Sequence, residues 1–174
     1  MLRNWGIVND VNEEFLMKFR ILAAMLVAAS SMLLSGQAAA KVCELSIEGT
    51  DQMTFSKKAM TVTSDCTKVK VKLTHVGKLP KAAMGHNWVL TTKENMQAVV
   101  SAGLKAGLNA GYLPKNDDRV IAHTKLLGGG ESDTVTFSLK GLSADEEYKF
   151  FCSFPGHSAV MQGAFKIKPA GKKS

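Results

Sequence analysis

The sequence predicts an all-β fold: about eight short strands in an antiparallel sandwich or barrel, with one helix inserted. Three observations point there. Short stretches alternate apolar with polar residues, most clearly Lys68–Val76 and Thr134–Leu139. Glycine and proline separate these stretches, at Gly77, Pro80, Gly85, Gly107, Pro114, Gly128–Gly130 and Gly141. Helical spacing of apolar residues occurs in one stretch of the main domain, after Thr91.

Taken in order, Cys43–Gly49 alternates weakly and Ser56–Thr63 is short and broken. In Lys68–Val76, Val69, Val71, Leu73 and His75 share one face and Lys68, Lys70, Lys72 and Thr74 the other, as in a half-buried strand. His75, on the apolar side, reads as a hydrogen-bonded core histidine. Gly77–Gly85 is a loop around Pro80. His86–Thr92 reads as a strand with His86, Trp88 and Leu90 on one face and Asn87 and Val89 on the other. Thr91 and Glu94 have the spacing of a capping box, opening a helix that runs to about Ala106. Its stripe of Met96, Val99, Val100 and Leu104 packs inward. Gly107–Arg119 is loop and Val120–His123 a short strand. Gly128–Gly130 is a turn; no lysine-serine pair follows it, so it does not cradle phosphate. Thr134–Leu139 and Tyr148–Ser153 are strands, the latter ending on Cys152, and Gly163–Lys168 closes the domain with Phe165 and Ile167 inward.

The 174 residues fit one domain, here residues 41–169, followed by a basic tail over residues 170–174. Residues 17–40 read as a signal peptide. Lys18 and Arg20 form its charged start, Ile21–Leu34 its apolar run, and Ala38–Ala40 a small-residue cleavage site. The run is too short to span a membrane comfortably, so the mature protein is expected to start at Lys41 without membrane insertion. Residues 1–16 carry Asp10, Glu13 and Glu14, which do not suit a leader; they read as an overlong start before Met17 or as an extension. The net charge is +7, carried by scattered lysines without an arginine cluster, which suggests an acidic partner or surface more than a nucleic acid, with solubility alone as the alternative. Export implies an oxidising compartment. The three cysteines, Cys43, Cys66 and Cys152, leave one thiol over, and the residues alone leave the pairing open. A Cys43–Cys66 bridge would leave Cys152 free, and a free thiol in an exported protein calls for a bound metal.

The chemistry concentrates in Phe150–Met161, where Cys152, His157 and Met161 place a thiol, an imidazole and a thioether on one turn. His86 adds a second imidazole from a neighbouring strand. A thiolate, two imidazoles and a weak thioether suit a copper ion that must be comfortable in both oxidation states. A cysteine hydrolase built on Cys152, His157 and Asn87 is a rival, but such cysteines open helices and Cys152 ends a strand. Structural zinc prefers a Cys-x-x-Cys pair, which is missing, and a copper oxidase needs more than four histidines. A copper delivery or storage protein would share the donors.

The stretches Gly85-His86-Asn87-Trp88, Arg119–Thr124 and Phe150–His157 stand in the order and spacing of one known family. Along nearly all of residues 41–168 the chain resembles the cupredoxins, the blue type 1 copper proteins. The resemblance implies a Greek-key β-barrel, a periplasmic setting, no enzymatic activity and one copper that shuttles single electrons. It implies ligation by His86, Cys152 and His157, with Met161 as a long axial ligand and the Gly85 carbonyl opposite, and a Cys43–Cys66 disulfide. Asn87 and Phe154 would support the ligands, with Asn87 bracing the two ligand loops near the sulfur. Trp88 would be buried, and His75 and His123 would not bind copper. An apolar patch around His157, made of Met53, Leu79, Met84, Leu104, Phe154, Pro155, Ala159 and Val160, would dock transient redox partners. Those partners would be c-type cytochromes or copper or haem reductases, met by a monomer.

Overall fold

The computed structural model describes residues 40–171. The expected leader ahead of Ala40 and the end of the basic tail lie outside the described residues. Nine strands form among the described residues: β1 (Val42–Thr50), β2 (Thr54–Phe55), β3 (Ala59–Thr63), β4 (Lys68–His75), β5 (Val89–Thr92), β6 (Ala122–His123), β7 (Ser132–Ser138), β8 (Tyr148–Phe151) and β9 (Gln162–Lys168). They make a four-stranded sheet in the order β2-β1-β4-β7 and a five-stranded sheet in the order β3-β9-β8-β5-β6.

The sheets enclose one main core. Strand β4 sends Val69, Val71 and Leu73 into it and keeps Lys68, Lys70 and Lys72 in water, as its alternation requires. Met60, Val62, Phe150 and Phe165 come from the other sheet. Each such side chain contributes roughly 1.5–3 kcal/mol on burial. Trp88 sits at the centre, wholly buried, with Phe137, Phe150 and Phe165 at ring distances of 6.1, 6.1 and 6.5 Å.

Two of the strand pairings, β1 with β4 and β3 with β9, are parallel. The chain leaves β1 through β2, crosses to β3 in the other sheet and returns along β4 in its original direction. That crossover puts the starts of β1 and β4 at the same end, where Cys43 on β1 lies opposite Val69. Cys66, just ahead of β4, therefore meets Cys43, and the two form a disulfide with 5.8 Å between Cα atoms. Cys152 is the free cysteine, as the expected pairing requires.

Several local expectations change. The broken Ser56–Thr63 stretch divides: β2 pairs back onto β1, while β3 joins the other sheet. The loop around Pro80 contains a one-turn helix, α1 (Lys81–Met84). The main helix, α2 (Met96–Ala106), starts from Asn95, so the capping box at Thr91 and Glu94 does not form. The Thr91 hydroxyl instead donates to the Arg119 carbonyl at 2.6 Å, because Thr91 is a buried strand residue. Leu104 is 48% exposed and not part of the inward stripe. Gly103 takes the inner position, since a Cβ there would lie 2.1 Å from the Tyr112 carbonyl oxygen. The His86–Thr92 segment does not alternate: residues from His86 to Thr91 are all buried. A second apolar cluster explains this, in which Val89 packs on Met96, Val99, Leu113 and Phe151 on the side away from the main core. The regular strand begins only at Val89, and His86 keeps a lone bridge to Leu127. Likewise β6 starts late, because the Val120 N–H turns back to the Asp117 carbonyl.

Candidate metal centre

Strand register assembles the site. In the β5–β8 pair Val89 lies opposite Phe151, so one step further Trp88 faces Cys152 and Asn87 faces Ser153. In the β8–β9 pair Phe151 lies opposite Gln162, so the next step sets Cys152 against Met161. The Cys152 N–H donates to the Met161 carbonyl at 3.0 Å, continuing that ladder past the end of β8. Between them the chain turns through Gly156, at φ 79°, into a short 3-10 turn at His157–Ala159. The His157 carbonyl accepts the Met161 N–H at 2.7 Å, which closes the loop.

His86, Cys152 and His157 come together as buried donors, their ligand atoms all within 4.8 Å of one another. Cys152 Sγ lies 3.9 Å from His86 Nδ1, 3.6 Å from His157 Nδ1 and 3.7 Å from the Gly85 carbonyl oxygen. His86 Nε2 is 2.8 Å from the Thr50 carbonyl oxygen. A carbonyl only accepts, so Nε2 carries the proton and Nδ1 presents its lone pair toward the sulfur. Gly49 lets the His86 ring lie close, since a Cβ there would come within 2.9 Å of it. Gly85 is similarly confined, with the Lys81 carbonyl oxygen 2.6 Å from where its Cβ would sit.

Burial disfavours the charged form of all three groups. Burial pushes the Cys152 thiol up to about 12, opposed by the Asn87 and Phe154 backbone N–H groups. Burial, then His86 and His75, lowers His157 to about 4. Burial also lowers His86, opposed by its bond to Thr50. A thiol this reluctant to ionise is no nucleophile, but a soft cation can replace its proton. Two buried imidazoles, a displaceable thiol proton and a buried thioether at Met161 fit copper.

Asn87 braces the two ligand segments. Its Nδ2 donates to the Ser153 hydroxyl at 2.8 Å and the Gly111 carbonyl at 3.1 Å, and its Oδ1 accepts the Ser153 N–H at 2.8 Å. None of these bonds reaches His157, so Cys152, His157 and Asn87 form no hydrolytic triad. Phe154 lies on the His157 ring at 4.5 Å and meets Tyr112 edge-on at 5.3 Å. His75 bonds Asp51 through Nε2 at 3.1 Å and its ring lies tilted against that of His86 at 4.2 Å, outside the donor group; His123 is exposed. Sequence reasoning missed Thr50, Ser153, Gly111 and Gly49. The strand register, once known, points to Ser153; the others depend on loop geometry.

His157 is 3% exposed and is flanked by exposed Pro155, Gly156, Ala159 and Val160. Of the other expected patch residues, Met53, Leu79 and Leu104 are 40–48% exposed, while Met84 and Phe154 are partly covered.

The model of the family described as copper binding proteins, plastocyanin/azurin family, matches residues 41–168. The chain belongs to the plastocyanin/azurin family. Among its azurin relatives, that of Bordetella pertussis is 51% identical over 144 residues, covering 83% of this chain and 93% of that protein. The azurin of Pseudomonas aeruginosa is 52% identical over 136 residues, covering 78% and 92%. That of Pseudomonas denitrificans is 54% identical over 126 residues, covering 72% and 98%. The two-sheet sandwich with its helix is the cupredoxin fold, and the His-Cys-His-Met set is that of a type 1 copper site in a non-enzymatic electron carrier.

Proposed function

We propose that this azurin-family chain is an exported blue-copper carrier that passes single electrons between redox proteins of the periplasm. The observation that supports it best is the convergence of Cys152 Sγ with the two Nδ1 atoms in a buried site. His86, Cys152 and His157 would hold the ion, with Met161 and the Gly85 carbonyl as additional weak donors. Copper bound there supplies a Cu(II)/Cu(I) couple. The chain does the rest. Thr50 fixes the His86 tautomer, Asn87 and Phe154 aim N–H groups at the sulfur, and the β ladders hold Cys152 and Met161 in place. A scaffold this tied down lets the donors move little between oxidation states, which speeds electron exchange. The apolar surface of Met53, Leu79, Met84, Leu104, Phe154, Pro155, Ala159 and Val160 would let electrons leave by the His157 edge to transient partners such as c-type cytochromes or copper or haem reductases. Residues 17–40 would direct export and be removed after Ala40, leaving a monomeric domain over residues 41–169 with a basic tail; residues 1–16 would be an overlong start or an extension.

The test is repeated reduction and reoxidation of the copper-loaded mature protein in the presence of a chelator. A carrier cycles reversibly and keeps its copper. Loss of copper to the chelator on each reduction would support a delivery or storage role instead.

A further inference from the structure

One lysine bonds the ligand loop, and two others adjoin exposed apolar residues in the chain. Lys58 Nζ donates to the Val160 carbonyl at 3.0 Å, one residue before Met161, and Val160 is 50% exposed. The Lys58 carbonyl accepts the Ala164 N–H at 3.0 Å, so this lysine spans the outgoing end of the loop. Lys78 precedes Leu79, and Lys105 follows Leu104; both lysines are exposed. Leu79 is tied to the site through Asp51, whose Oδ1 accepts its N–H, and Asp51 directly follows Thr50, the anchor of His86. The end of α2 is tied to it through Gly103, which packs on the Tyr112 carbonyl, and through the Tyr112 and Phe154 rings.

The acidic groups nearby are already engaged. Asp51 accepts the Lys78 and Leu79 N–H groups and bonds His75. Glu131 accepts the Gly128 N–H and pairs with Lys81 at 3.2 Å, and Asp133 accepts the Lys125 N–H. Among the described residues no carboxylate lies within ion-pair distance of Lys58, Lys78 or Lys105.

We infer that Lys58, Lys78 and Lys105 form a basic rim that steers the docking of a redox protein whose own face carries carboxylates. The inference rests on the electron-carrier reading. The apolar centre supplies close contact and the rim supplies orientation and encounter rate, the usual division between core and charged edge. The net charge of +7 adds a long-range attraction, but only charges at the rim favour the orientation that brings the His157 edge to the partner.

Cytochrome c provides a pair of probes, unmodified and basic, or succinylated on its lysines and acidic. The copper-loaded, reduced mature protein is mixed with each oxidised probe in a stopped-flow instrument across ionic strength. The acidic probe should react at least about fivefold faster at low ionic strength, with the advantage vanishing at high salt. A rim variant, Lys58→Gln with Lys78→Gln and Lys105→Gln, should lose most of that advantage. A control with the same charge change on a sheet face and turn, Lys68→Gln with Lys72→Gln and Lys140→Gln, should keep most of it. Arginine at the three rim positions should retain it, which separates charge from any disturbance of the ligand loop. Equal losses in the rim and control variants, or equal rates with both probes, would overturn the rim. Reduction of neither probe would instead overturn the carrier reading on which the inference rests.

Discussion

Replacing Asn87 with leucine keeps the side chain's bulk and removes its amide. Three groups then lose their partners: the Ser153 N–H at 2.8 Å, the Ser153 hydroxyl at 2.8 Å and the Gly111 carbonyl at 3.1 Å. The Ser153 hydroxyl still reaches the Gly111 carbonyl at 3.4 Å, so those two are partly rescued. The Ser153 N–H has no such replacement, and Ser153 is 1% exposed. An orphaned buried N–H costs about 1–3 kcal/mol, and the remaining weakened bonds add roughly 0.5–1.5 kcal/mol. Asn87→Leu should therefore cost about 1.5–4.5 kcal/mol, a large share of a typical domain's 5–15 kcal/mol. Urea unfolding of the metal-free protein measures it. Ser153→Ala, which keeps the N–H bonded to Asn87 Oδ1, should cost only about 1 kcal/mol. Combining the two should give less than the sum, because they share a bond. If Asn87→Leu unfolds within about 0.5 kcal/mol of the parent, the Asn87 brace does not stabilise the fold.

The other expectations concern the disulfide, protons and the axial ligand. Replacing Cys43 and Cys66 together by alanine opens a link spanning 23 residues and should lower stability by about 3 kcal/mol; an unchanged unfolding midpoint would contradict this. Copper uptake must release the Cys152 proton, held to about pH 12, so apparent affinity should rise about tenfold per pH unit between roughly 6.5 and 8.5, and calorimetry in buffers of different ionisation heat should count one proton. The metal-free protein should lose stability as pH falls from about 6.5 toward 4. The unfolded chain then protonates a histidine that the fold keeps neutral at His157. It should also lose stability above about 8.5, where the unfolded thiol ionises and the folded Cys152 does not. Met161→Gln should lower the reduction potential, since a harder axial donor favours Cu(II); a rise in the voltammetric midpoint would contradict an axial role for Met161.

The parts of this molecule legible in its sequence are those in which a side chain's chemistry is unusual for its surroundings. The alternation of Val69, Val71 and Leu73 with lysines identified β4 because the strand has one wet face and one dry face. His86–Thr92 misled because both faces are dry: Val89 meets a second cluster, so no alternation is available to read. The capping box at Thr91 and Glu94 is a local pattern overridden by burial, which spends the Thr91 hydroxyl on Arg119. Soft donors at Cys152, His157 and Met161 stood out in the chain, as did the second imidazole at His86 on a neighbouring strand, and the family resemblance then implied how the four would bind. The anchors Thr50 and Gly111 did not stand out, because each acts through a backbone carbonyl that any residue carries. Parallel pairing of β1 with β4 was also hidden, being a property of the crossover and not of either strand.

The most direct test of the account is the visible spectrum of the mature protein loaded with one equivalent of Cu(II). Ligation by the Cys152 sulfur predicts an intense thiolate-to-copper band that makes the protein blue, disappears on reduction and is lost in Cys152→Ser. Stoichiometric copper without that band, or a Cys152→Ser protein that stays blue, would contradict it.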